Sequence, residues 1–166
     1  MPSRAIRQTA AERMRGFALE EIPTGGNRFC GPAAIAAITG CTPQEAADRL
    51  APIINRHAAP HRRRRTGDTV RSTTALHLKV VLAQYAFHLI ARKKKYRRET
   101  FRNWANRTEG WRRDRIFLVL AGRHWRVVHG WRTVCGQRRT PCHTNSAVTP
   151  GSIVKEVYEI SAFDQD

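Results

Sequence analysis

The sequence predicts an α+β domain in which N-terminal helices pack on a C-terminal antiparallel β-sheet. Apolar residues recur at helical spacing in the first half, as at Ala34, Ile35, Ala37 and Ile38. From Ile116 onward the pattern changes to short apolar runs separated by glycine turns. Helical segments therefore come first and strands afterwards, which segregates the two kinds of element rather than alternating them. With 166 residues, 41% of them apolar and 26% charged, the chain has material for one hydrophobic core and too little for two. The organisation expected is an arm or short helix over 1–20 and a single domain over 21–166.

Taken in order, residues 1–20 alternate basic and apolar positions (Ile6, Met14, Phe17, Leu19), enough for one short helix or an arm. The turn formers between Glu21 and Asn27 lead into a buried helix whose first turn carries Cys30, and Gly40 is suited to close it in the left-handed conformation. Thr42, Pro43 and Glu45 make a capping box with proline at the first helical position. The helix they open buries Ala46, Ala47 and Leu50 and extends toward Ile53 and Ile54. Residues 55–68 are polar, contain Pro60 and Gly67, and read as a surface loop. A third helix is expected from near Thr69, with Val70, Thr73, Leu76, Val80, Ala83 and Phe87 on one buried face. Tyr85 to Ile90 fits either its last turns or a short strand. A short helix around Phe101 and Trp104, capped by Thr100, follows. The strands expected are Ile116 to Leu120, His124 to His129, Thr133 to Cys135, and Ile153 to Ile160, the first three joined by turns at Gly122 and Gly130.

Composition narrows the partners. The formal net charge is +17, and between Arg49 and Arg139 there are 24 Lys or Arg against four acids (Asp68, Glu99, Glu109, Asp114). Such a field draws a polyanion: nucleic acid, an anionic surface or an acidic protein. Two runs concentrate it, Arg62, Arg63, Arg64 and Arg65 in the polar loop, and Arg92, Lys93, Lys94, Lys95, Arg97 and Arg98 before the Thr100 helix. With Tyr96, Trp104 and Trp111 nearby, these runs are the candidate anion-binding residues for a phosphate backbone. The plainer reading is a solvated face. No stretch approaches the roughly 20 apolar residues of a membrane span. Without an apolar stretch near Met1 to resemble a secretory signal, a cytoplasmic location is expected. In that compartment Cys30, Cys41, Cys135 and Cys142 are expected as free thiols. Cys135, Cys142 and His143 lack the tight paired spacing of a structural zinc site, so neither metal nor cofactor is expected.

One constellation carries chemistry. A thiolate is favoured at the first turn of a helix, where backbone amides present partial positive charge, and Cys30-Gly31-Pro32-Ala33-Ala34 puts a cysteine there. Gly31 lets a substrate approach the backbone, and Asn27 is the nearest upstream amide that could join the Cys30 amide in holding an oxyanion. Histidine is the usual base near neutral pH, and His124 opens a strand about ninety residues downstream. His129 is its rival. The two stand five apart, so in a regular strand they face opposite sides. Each residue also has a plain structural reading: a small buried thiol at a helix start, and a strand-end histidine on the surface.

Asn-Arg-Phe-Cys-Gly-Pro-Ala-Ala-Ile-Ala-Ala followed by Gly-Arg-His-Trp-Arg-Val-Val-His-Gly resembles the papain-like cysteine peptidases, particularly the double-glycine leader peptidases. A closer resemblance is to small tailed-bacteriophage proteins with the same layout, matched here by Asn27 to Gly40, Gly67-Asp68-Thr69, Thr100 to Trp104, and Gly122 to Gly130. The resemblance implies a papain-like fold, a Cys30 and His124 dyad, and a phage-encoded hydrolase acting on a peptide or protein in the host cytoplasm. Two departures stand out. Thr24 occupies the place where leader peptidases carry an oxyanion Gln, and the strand that would orient the histidine offers only Gln137, with Asn145 more remote. The alternative is a binding protein on a catalytically inactive scaffold of this type, gripping nucleic acid or an acidic host protein through the basic middle of the chain.

Overall fold

The computed structural model describes residues 8–92, 98–107 and 113–163. Six antiparallel strands form one sheet: β1 (Phe87–Ala91), β2 (Ile116–Ala121), β3 (His124–His129), β4 (Arg132–Cys135), β5 (Cys142–His143) and β6 (Val154–Ala162), in the spatial order β1-β6-β2-β3-β4-β5. Among the described residues five α-helices accompany it: α1 (Ala10–Arg15), α2 (Cys30–Thr39), α3 (Pro43–His57), α4 (Ala75–Ala83) and α5 (Phe101–Asn106). The α+β class and the four main strands are as the sequence predicts. The two-residue β5 is additional, because a pairing that short leaves no periodic trace in the chain.

Both faces of the sheet are covered, so β2 is apolar without alternation. Ile116 and Leu118 join the core formed with α2, α3 and α4, while Phe117, Val119 and Ala121 join a second core with Phe101 and Trp104 of α5 and with Ala147. The same division holds on β3, where Trp125 and Val127 face the helical layer and Val128 faces α5.

The helices begin where their caps dictate. Thr9, Thr42 and Thr74 each accept the backbone N–H of the third helical residue, and Thr100 does so at α5. Gly40 closes α2 at φ +79°. Every residue of α2 from Gly31 to Ile38 is buried, as expected of a helix held between α3 and the sheet. Arg13 of α1 donates to the carbonyls of Ile38 (2.5 Å) and Ala37 (3.1 Å), satisfying the open end of α2, and Ala10, Phe17 and Ile22 enter the main core.

One expectation is corrected. The third helix does not start near Thr69: Gly67–Thr69 is a single 3-10 turn, residues 70–73 carry no helix, and α4 begins after the Thr74 cap. Its buried face is Leu78, Val81 and Leu82, while Leu76 is 52% exposed. Val70 is fully buried, but from the segment that precedes the helix. Ala86, at φ 62°, then turns the chain into β1, so Phe87 to Ile90 is strand.

Candidate active site

Cys30 opens α2 at the end of the sheet where β3 begins and β4 ends. Its sulfur lies 3.9 Å from the carbonyl oxygen of Arg123, one residue before β3. Burial pushes the thiol above its ordinary range, while the backbone amides of Trp125, Cys30 and Gly31 pull the other way. Residues on both sides of His124 therefore address this sulfur. Two neighbours fix the position. The indole N–H of Trp125 donates to the carbonyl of Thr73 (3.0 Å), which lays the 70–73 segment alongside the first turn of α2. Gly136 follows β4 so closely that a β-carbon there would stand 3.0 Å from both the Cα and the N of Cys30.

His124 is the half-buried first residue of β3. Burial and the positive charge of Arg126 hold its imidazole below the ordinary histidine value. Among the described residues the imidazole makes no hydrogen bond to the Cys30 thiol. The rival His129 occupies the opposite end of the strand, about 17 Å away at five residues of extended chain. Its ring meets Phe17 edge-on at 5.5 Å. Of the two histidines, His124 belongs to the strand end that touches Cys30.

Arg126 is the residue the sequence reading missed. It is 1% exposed, lies over the Phe101 ring at 4.6 Å, and donates to the carbonyl of Val148 and to Thr149 Oγ1 (2.9 Å). Its charge acts on His124 and interacts favourably with the thiols of Cys135, Cys30 and Cys142. The signal was present in the neighbouring strand: an unbroken apolar β2 implies a sheet covered on both faces, which leaves a mid-strand arginine on β3 no route to water.

The oxyanion expectation for Asn27 is corrected. This side chain is 4% exposed, and both of its amide hydrogens are taken, by the carbonyls of Gly67 (2.8 Å) and Val70 (2.9 Å), while its oxygen accepts from the Phe29 amide (2.9 Å). It ties the 67–70 turn to the Cys30 loop and has no hydrogen left for a substrate. Backbone amides at the start of α2 are the donors that remain. Gln137 is exposed in the bend after β4, and Asn145 pairs with the Asn106 side chain (2.9 Å) on α5.

The residues expected to bind anions fall into three groups. Arg62, Arg63 and Arg64 are exposed in the loop after α3, and Arg65 is anchored through its backbone, its N–H donating to Asn55 Oδ1 (2.6 Å). Arg92 is ion-paired with Glu159, and Arg98 is exposed. Lys93, Lys94, Lys95 and Arg97, with Tyr96 and Trp111, lie outside the described residues. Among the described residues no three His, Cys, Asp or Glu side chains are grouped to hold a metal, and no helix is long and apolar enough to cross a membrane.

No family model, curated protein or solved structure matches this chain.

Proposed function

We propose that this chain is a papain-like thiol hydrolase in which Cys30 attacks a carbonyl carbon and His124 takes the thiol proton and passes it to the leaving group. The backbone amides at the start of α2 hold the oxyanion. The observation that carries this reading is the placement of the Cys30 sulfur against the backbone of Arg123 and Trp125, the two residues that flank His124. Burial raises the thiol and lowers the imidazole, so the pair rests neutral, and His124 acts as a general base when substrate arrives. Peptides or proteins are the substrate class implied by the resemblance to leader peptidases. Incubation with an activated ester such as p-nitrophenyl acetate, followed by peptide mass mapping, tests the nucleophile. Acylation concentrated on Cys30 and strongly slowed in His124→Ala is expected. Acylation spread over Cys30 and Cys142 alike, indifferent to His124, would overturn the reading.

A second reading is favoured by charge: a cationic protein that grips nucleic acid. Arg62, Arg63 and Arg64 stand exposed on one loop of a chain carrying a net +17. Counterion release makes such binding steeply salt-dependent. Replacing these three arginines with serine lowers affinity and flattens the salt slope, while Cys30→Ala leaves both unchanged.

A further inference from the structure

Outside the Cys30 site, an open cleft of about 370 Å³ lies between the end of α5 and the β4-β5 corner, lined by Asn106, Trp131, His143 and Asn145. Its wall is aromatic. The exposed His143 ring lies parallel to the half-buried Trp131 indole, with 5.9 Å between centroids and 6° between planes. The guanidinium of Arg113 sits over the same indole at 4.6 Å and is itself exposed. His143 Nδ1 accepts the Asn145 amide N–H (3.2 Å), which fixes the imidazole in this orientation. On the polar side, Asn106 Nδ2 donates to Asn145 Oδ1 (2.9 Å). Among the described residues this leaves the Asn106 carbonyl as a free acceptor and the Asn145 NH₂ as a free donor.

We propose that this cleft is a base-binding site for single-stranded nucleic acid, a base extending the stack on the exposed His143 ring that Trp131 backs, while the two asparagine amides meet its edge and Arg113 meets the adjoining phosphate. The inference rests on the nucleic-acid reading above and gives it a place on the molecule. Three requirements of single-strand recognition coincide here: a flat aromatic surface open to solvent, a donor and an acceptor side by side, and a cation beside the ring. A base in duplex presents its faces only to its neighbours, so a recessed shelf of this kind suits unpaired strands. The strong positive charge of the chain supplies the attraction that delivers them.

The test titrates full-length protein with fluorescently labelled single-stranded DNA and RNA oligonucleotides, with the matching abasic DNA oligonucleotide, and with duplex DNA. Trp131→Ala is expected to weaken base-bearing single strands by about tenfold, the scale of one lost base stack, and to leave abasic and duplex binding unchanged. His143→Ala, at an exposed position that spares the fold, gives a loss of similar size in the same direction. Equal affinity of wild type and both variants for base-bearing strands, with abasic binding intact, would overturn the cleft and leave the charge reading standing. Absence of binding to every oligonucleotide at low salt would overturn both.

Discussion

Arg126 shows how one side chain can join the stability of this fold to its chemistry. Its guanidinium holds the Val148 and Thr149 segment against the sheet and places positive charge within reach of both Cys30 and His124. That charge keeps the imidazole neutral and able to accept a proton, and it stabilises the thiolate as it forms during a base-assisted attack. Gly136 acts by having no side chain. Because a methyl there would press on the backbone of Cys30 and on the carbonyl oxygen of Arg28 at 2.9 Å, Gly136→Ala is expected to move the Cys30 sulfur away from β3. The expected cost is about 1 to 3 kcal/mol of stability, typical of overpacking. Acylation of Cys30 should fall while Cys142, on β5, reacts as before. Peptide-resolved mass mapping at a temperature where the variant is folded measures both, and an unchanged Cys30 rate would show that this contact does not position the thiol.

The helices and strands differ in how openly the sequence announces them. The start of α3 is legible to the residue, because Thr42, Pro43 and Glu45 write it in local hydrogen bonds, while its end at His57 runs three residues into the segment expected as loop. β2 and β3 were legible from apolar runs bounded by Gly122 and Gly130, both of which adopt positive φ. α4 was not. Val70 and Thr73 continue a helical spacing by coincidence, and what removes them from the helix is long-range: Asn27 holds the Val70 carbonyl and Trp125 holds that of Thr73. The corrected phase makes a sharp contrast. Leu78→Ala, at a fully buried position, should cost about 2 to 5 kcal/mol in urea unfolding, whereas Leu76→Gln on the exposed face should change stability by less than about 0.5 kcal/mol. Comparable losses at the two positions would mean that the helix is rotated from the orientation described. Asn27 departs from expectation for a related reason, since its proximity to Cys30 is visible in the sequence and the carbonyls of Gly67 and Val70 that occupy it are not.

At the scale of the whole molecule, burial of histidines sets the response to acid. His77, His124 and His129 are each held below the ordinary value of 6.5, burial being the leading cause at all three. Below that value the unfolded chain binds more protons at these positions than the folded one, so stability falls as the pH falls through 6.5. The urea midpoint should therefore be lower at pH 5.5 than at pH 7.5, and an equal or higher midpoint in acid would contradict the burial described. The same fold carries residue 30 across the sheet to the strand that begins at residue 124, a meeting that the chain order implies only through resemblance and that the 3.9 Å approach of Cys30 to Arg123 gives physical form. The most direct test of that meeting is the rate of iodoacetamide alkylation at Cys30, followed from pH 5 to 11 in the wild type and in His124→Ala. A working pair predicts a wild-type rate near neutrality about tenfold or more above the variant, within the range general-base assistance supplies. It also predicts convergence of the two rates at high pH, once the thiol ionises unaided. Superimposable profiles across the whole range would contradict it.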